Sequence, residues 1–151
     1  MSLNQSVSLT KAQFWKTFGQ YMASVPSAAG AKINWINYKT SVRFIRFIMN
    51  ERDGEIVIAV ELSNSDLISQ GNDFEQLRLL KTQFLQICGE DWIWTKCLRD
   101  TQGKTISSVS SALGNVKVSQ EEDWSEIISF LKPRLIALDE FWNQYKYVFQ
   151  F

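Results

Sequence analysis

The 151-residue sequence contains no histidine. This absence excludes serine–histidine and cysteine–histidine nucleophile pairs, histidine as a general base, and every zinc site that needs an imidazole ligand. The chain has only two cysteines, Cys88 and Cys97, which cannot by themselves close a Cys₄ zinc site. We expect both to be reduced thiols in the core of a cytoplasmic protein, because cysteine is often fully buried and cytosolic disulfides are rare.

Long apolar runs, phosphate-binding loops and net charge are also missing. The longest uninterrupted apolar run, Ile56 to Val60, is far shorter than the ~20 residues of a membrane helix, and the N-terminus does not resemble a signal peptide. The seven glycines form neither GxGxxG nor GxxxxGK[ST]. Sixteen basic residues balance sixteen acidic ones, so any polyanion contact must come from a local patch. We expect no cofactor, no metal and no membrane partner.

What the chain has in quantity is apolar and aromatic material. Hydrophobic residues make up 45% of it and aromatic residues 13%, including six tryptophans and ten phenylalanines. This is enough to fill one core, and the length is that of one domain. We therefore predict a single globular domain over residues 1–151.

Hydrophobic spacing predicts an α+β protein with the element order α-β-β-β-α-β-β-α. The first helix is predicted over residues 9–24, ended by Pro26, and Pro133 is expected to kink or break the last helix. The remaining elements are strands over 32–39, 42–49 and 55–62, a helix from Asn72 to Gly89, a hairpin of 92–99 with 105–113, and a last helix opened by a Ser119–Glu122 capping box.

The dipeptide Asp53-Gly54 fixes a register for the first hairpin. A two-residue loop there places Arg46 directly opposite Glu61. A turn near Thr40-Ser41 would bring Trp35 beside Arg46. The predicted binding row consists of Trp35, Lys39, Arg43, Arg46 and Glu61. The alternative is a structural ion pair beneath an aromatic lid.

The α-β-β-β-α-β order is also that of the restriction-endonuclease-like core, whose enzymes hold Mg²⁺ with strand carboxylates and a D/E-x-K tripeptide. The third predicted strand ends Val60-Glu61-Leu62-Ser63, with serine where the lysine is needed, and no D/E-x-K occurs in the chain. We therefore predict no catalytic residues and, at most, a degenerate form of this core. Asp139 and Glu140 diverge by about 100° on a helix, so they are expected to form an ordinary solvated face.

Several segments resemble a bacterial family of uncharacterised proteins, domain of unknown function 4268. The resemblance is carried by Ile33-Asn34-Trp35-Ile36-Asn37-Tyr38-Lys39-Thr40, Phe14-Trp15, Phe74-Glu75-Gln76, Trp92-Ile93-Trp94, Lys132-Pro133-Arg134 and Leu138-Asp139-Glu140-Phe141-Trp142. Ser41 stands where the family pattern continues with glycine. Similar domains occur fused behind nuclease-like domains, so the resemblance implies a DNA-related context without established catalytic residues.

Three functions stay open on the sequence. The first is a non-catalytic binding module that contacts DNA or a nuclease-type protein in such a system. The second is a homo-oligomeric interaction domain, with a homodimer built on the apolar C-terminal residues Tyr145 to Phe151, although docking of this tail on its own domain is the expected arrangement. The third is an atypical Mg²⁺-dependent nuclease.

Overall fold

A computed structural model describes residues 3–149 of the chain, with side chains described from residue 9 onward. Its elements confirm the α+β class and the succession helix, hairpin, helical region, hairpin, helix. The helices are α1 Leu3–Met22, α2 Leu67–Leu79, α3 Lys81–Cys88 and α4 Trp124–Tyr145, and the strands are β1 Ile45–Arg52, β2 Glu55–Leu62, β3 Ile93–Arg99 and β4 Thr105–Gly114. Short 3₁₀ turns at Glu121–Asp123 and Lys146–Val148 flank α4.

The four strands form one antiparallel sheet in the order β1-β2-β4-β3. Asp53 and Gly54 both have positive φ, 52° and 78°, as a two-residue hairpin turn of the primed type requires. The predicted register is confirmed, because Arg46 lies opposite Glu61. The likeness to a degenerate restriction-endonuclease-like core stays a prediction.

The core lies between one face of the sheet and the helices. Alternate residues of β1 and β2, including Phe47, Ile58 and Val60, are buried together with the apolar stripe of α4. The ring of Phe47 meets that of Trp142 edge to face, with centroids 5.7 Å apart. Since strand residues alternate between faces, Arg46 and Glu61 lie on the opposite face of the sheet.

The segment 32–39 is a loop, contrary to the predicted strand. The Oδ1 atom of Asn34 accepts hydrogen bonds of 3.1 Å from the backbone N–H groups of both Ile36 and Asn37. This side chain occupies the donors that a strand ladder would have used, so the chain turns instead of extending.

The first two predicted helices differ from the observed ones at their boundaries. The first begins at Leu3 instead of residue 9 and ends at Met22, ahead of Pro26. The second begins at Leu67, five positions before Asn72, because the Asp66 side chain caps it by accepting the N–H of Ile68. The predicted helix is also divided, since α2 ends at Leu79 and α3 starts at Lys81.

Helix α4 runs without a break through Pro133, so the expected break does not occur, while the alternative expectation, a kink, stays a prediction. Pro133 and Ser129, whose carbonyl the missing proline N–H would have bonded, are both exposed, so water can bind that carbonyl. The Ser119–Glu122 capping box does not form, since the helix starts at Trp124 and follows a 3₁₀ turn without a side-chain cap.

The C-terminal tail docks on its own chain as far as the structure describes it. The Phe149 ring stacks on Trp142 at 5.3 Å, and Tyr145 packs against Phe141 at 5.1 Å. Tyr147 is exposed, and Phe151 lies outside the described residues. Within residues 3–149, no helix has the length and apolarity needed to cross a membrane.

The two cysteines are free thiols in different environments. Cys88 is buried, as predicted, whereas Cys97 is exposed and is not a core residue. Cys97 has φ 58° in the irregular stretch between Thr95 and Leu98 where the β3–β4 register shifts. A bulge of this kind re-aims the side chain, and the alternating pattern of a regular strand does not predict it.

Candidate functional site

Arg46 and Glu61 form the centre of the predicted binding row. The Nε and Nη2 atoms of Arg46 donate to the same oxygen, Oε1 of Glu61, over 2.9 and 2.7 Å. The Glu61 side chain is 5% exposed and that of Arg46 is 64% exposed. The pair therefore joins a buried carboxylate to a guanidinium that keeps most of its surface in water.

Trp35 does not lie beside Arg46, so the predicted row is not formed as a whole. Trp35 is 2% exposed and belongs to the core on the other side of the sheet. Its indole N–H donates to the carbonyl of Val25 over 2.9 Å, and its ring lies 6.2 Å from that of Tyr38. The Asn34 turn explains this correction, because it replaces the strand whose pairing would have brought Trp35 next to Arg46.

Lys39 and Arg43 are exposed, on the loop that leads into β1. The guanidinium of Arg43 lies over the ring of Phe44, 4.7 Å from its centroid. Neither residue is in an ion pair within the described side chains. Their role in binding stays a prediction.

The stretch of chain that contains these residues carries charges of only one sign, although the net charge of the whole chain is zero. Residues 27–50, which we name the basic segment, contain Lys32, Lys39, Arg43 and Arg46 and no aspartate or glutamate. All four basic residues are exposed. The segment therefore contributes four exposed positive charges and no negative charge.

A groove lies beside Arg46. Two hollows of about 350 and 420 Å³ share Arg46, Glu61, Asp100 and Gln102 in their walls, and we name them together the Arg46 groove. Lys104 adds a second basic group to one of them. The Asp100 carboxylate accepts the backbone N–H groups of Gln102 and Lys104, so part of its hydrogen-bonding capacity is already used within the turn.

A third hollow, of about 400 Å³, lies between the loop 27–40 and α4, and we name it the Asp139 pocket. Asp139 is 4% exposed, so the predicted solvated face is wrong for this residue, whereas Glu140 is exposed. One Asp139 oxygen accepts the backbone N–H of Ala28 over 2.7 Å, and the other accepts the hydroxyl of Tyr38 over 2.6 Å.

A further hydrogen bond also fixes the loop 27–40 to α4. The indole N–H of Trp142 donates to the carbonyl of Thr40 over 2.7 Å, and the Thr40 hydroxyl donates to the carbonyl of Ile45 over 2.6 Å. Burial, followed by the hydrogen bond to Asp139 and the charge of that carboxylate, raises the pKa of Tyr38 above its usual range. The Tyr38 hydroxyl is therefore protonated and can donate to Asp139 at neutral pH.

The sequence does carry a signal for this buried carboxylate. Asp139 lies four positions after Leu135 and three before Trp142, so it falls on the apolar stripe of the helix. A charged residue inside such a stripe indicates a buried polar contact. The sequence pattern does not identify Tyr38 as the partner, because it predicts a strand over residues 32–39, where the structure has a loop.

The donor set for metal binding is limited. Within the part of the chain that the structure describes, no three histidine, cysteine, aspartate or glutamate side chains group closely enough to hold an ion. Glu61 contacts Arg46 and Asp139 contacts Tyr38, so each of these two buried carboxylates has a protein hydrogen-bond donor.

The fold and the two sites define an α+β protein with a helix-backed antiparallel sheet, exposed basic residues before and within β1, and a pocket lined by a buried carboxylate. The chain belongs to the family described as domain of unknown function DUF4268, whose model matches residues 10–146. No curated protein and no solved structure matches the chain significantly. Two segments that carry the family resemblance, residues 33–40 and 138–142, meet at the Asp139 pocket.

Proposed function

We propose that this protein is a non-catalytic binding module that holds a polyanion on the basic segment. The observation that carries the proposal is the charge distribution, with four exposed basic residues and no acidic residue over positions 27–50 of a net-neutral chain. Phosphate backbones bind to such local clusters of lysine and arginine through charge and counterion release.

The pairing of these cations supports the proposal. Among the side chains described in the structure, only Arg46 of the four has a carboxylate in ion-pair contact, and its side chain is still 64% exposed. Lys39 and Arg43 keep their charges free to contact phosphates. Glu61 and Asp100 lie in the walls of the Arg46 groove together with Arg46 and Lys104, so this groove has no excess of positive charge. The phosphate contacts are therefore assigned to the exposed side chains of Lys39, Arg43 and Arg46.

DNA is the polyanion that we propose, within a bacterial nuclease-linked system in the cytoplasm. The support for this step is the DNA-related context that the family resemblance implies. A nuclease-type protein is the proposed macromolecular neighbour in the same system, and Glu61 serves in this account to orient Arg46.

The variant that tests the proposal is the double substitution Lys39→Ala/Arg43→Ala. It should weaken the binding of fluorescently labelled DNA by about tenfold or more at low salt, since two phosphate contacts are lost. The matched control is Lys16→Ala/Lys117→Ala, which removes the same charge from two other exposed positions. Equal weakening by both double variants would show only an effect of net charge and would overturn the assignment to the basic segment.

The atypical nuclease makes a different prediction at Glu61. If Glu61 held a catalytic Mg²⁺, Glu61→Gln would abolish DNA cleavage by the wild-type protein. In the binding module, wild-type protein leaves DNA intact with and without Mg²⁺, and Glu61→Gln lowers the free energy of unfolding because Arg46 loses a charged acceptor. Cleavage assays on both proteins distinguish these functions.

A further inference from the structure

The Asp139 pocket lies next to the Arg46 groove, with Asn37 and Tyr38 in the lining of both, but the function proposed above makes no use of its buried carboxylate. Its volume of about 400 Å³ falls in the range of roughly 300–1,000 Å³ that is usual for small-molecule sites. Its walls come from the loop 27–40 and from the C-terminal half of α4, which the Tyr38–Asp139 and Trp142–Thr40 hydrogen bonds hold together. A pocket with such a fixed frame is pre-formed for a ligand.

The carboxylate of Asp139 lines the pocket and has hydrogen-bond acceptor positions that the protein leaves open. A carboxylate has about four acceptor positions, and Asp139 uses two of them for Ala28 and Tyr38. Among the described side chains, no lysine or arginine lies within ion-pair distance of it. Because a buried charge without a cation is costly, a ligand that donates an N–H group to Asp139 would offset part of that cost.

Two lysines, Lys39 and Lys146, line the same pocket. Lys39 is exposed and Lys146 is half-buried, so both can reach water as well as a ligand. They supply positive charge for an anionic group. The lining of the pocket therefore combines a hydrogen-bond acceptor, Asp139, with two cations, Lys39 and Lys146.

Three carboxamide side chains also line the pocket: Asn34, Asn37 and Asn143. The oxygen of Asn34 is occupied by the backbone of its own turn, which leaves its NH₂ group to donate. Carboxamides and carboxylates are the side chains that read the edges of nucleobases, and aspartate in particular accepts from the amino group of cytosine.

We propose that the Asp139 pocket binds a nucleoside monophosphate whose base carries an exocyclic amino group. In this arrangement the amino group donates to Asp139, and the phosphate contacts Lys39 and Lys146. A single amino acid also combines an N–H donor with an anionic group, but it would leave most of a 400 Å³ pocket empty. The nucleotide fills more of the space and uses the carboxamides.

Isothermal titration of the whole protein with CMP, UMP and cytidine tests this assignment. CMP and UMP differ at C4, where an amino group replaces an oxygen, so wild-type protein should bind CMP at least about tenfold more tightly than UMP. Cytidine, which lacks the phosphate, should bind more weakly than CMP by a similar factor. Equal affinities for CMP and UMP, or no binding of CMP at millimolar concentration, would overturn the proposal.

Two variants test the two predicted ligand contacts, to the amino group and to the phosphate, one at a time. Asp139→Asn should lose the preference for CMP, because a carboxamide can donate to the oxygen of UMP. Lys146→Met should weaken CMP and UMP equally and leave cytidine unchanged, and this substitution at the pocket rim keeps the test valid if Asp139→Asn does not fold. A Lys146→Met protein that binds CMP as tightly as wild type would contradict the phosphate contact.

Lys39 belongs to both proposed sites, so variants at other positions are needed to separate the two proposals. Arg43→Ala alters the basic segment and does not line the pocket, so it should leave CMP binding unchanged while it weakens DNA binding. Loss of CMP selectivity without loss of DNA binding, in Asp139→Asn, would likewise show that the two sites act separately. A failure of one proposal therefore leaves the other testable.

Discussion

The hydroxyl of Tyr38 donates to Oδ1 of Asp139 over 2.6 Å, across 101 positions of sequence. This hydrogen bond joins the loop before β1 to the middle of α4. Asp139 also receives the N–H of Ala28, so one buried carboxylate fixes two points of the loop. The position of the loop in turn determines the shape of the pocket beneath it.

Tyr38→Phe should lower the free energy of unfolding by about 1–3 kcal/mol, because a buried carboxylate loses a donor and nothing else changes in volume. Tyr147→Phe is the matched control, since Tyr147 is 68% exposed, and it should change stability by no more than about 0.5 kcal/mol. Urea unfolding followed by tryptophan fluorescence measures both. Equal stabilities of the two variants would mean that the Tyr38–Asp139 bond contributes nothing net.

Ser41 has φ 64°, in the left-handed region that favours glycine. Ser41→Gly should therefore stabilise the protein by about 0.5–1 kcal/mol, since the strain of the serine exceeds the entropic cost of glycine. Ser65→Gly is the control, because Ser65 is also exposed but has no positive φ, and it should not stabilise. The thermal midpoints of the two variants compare these effects, and a lower midpoint for Ser41→Gly would refute the strain argument.

Burial, together with the nearby charge of Glu140, raises the pKa of Cys88 to about 12. At pH 8 the native protein should thus show one reactive thiol toward Ellman's reagent, the exposed Cys97, and denaturation should reveal the second. Cys97→Ser should remove the native signal.

The raised pKa of the Cys88 thiol also makes the stability of the fold depend on pH. Above an unfolded pKa of about 8.5 the unfolded chain releases the Cys88 proton while the folded chain keeps it, so stability falls as the pH rises toward 12. Cys88→Ala should reduce this alkaline slope relative to wild type. An unchanged slope would contradict the assignment to Cys88.

The Arg46–Glu61 contact could be predicted from sequence because it depends only on local rules. Asp53-Gly54 specifies a two-residue turn, and the turn fixes every pair along β1 and β2. The side-chain periodicity of two then assigns faces without knowledge of the rest of the fold.

The Asp139 pocket could not be predicted in the same way, because it depends on a loop that meets α4 across about a hundred positions of chain. The alternation of Ile33 and Trp35 is typical of a strand, and the competing effect was one side chain, Asn34, bonding its own backbone. A strand over this segment would take Tyr38 away from Asp139, so the sequence pattern gives no sign of their hydrogen bond.

The central claim of polyanion binding is tested most directly by a salt titration of wild-type binding to labelled double-stranded DNA, from about 50 to 200 mM salt. Contacts from Lys39, Arg43 and Arg46 to three phosphates predict a slope of log K against log salt concentration of about −3, from roughly −0.9 per phosphate. A slope near that value with intact DNA is the expected result. No binding at the lowest salt, or binding that does not change with salt, would contradict the account.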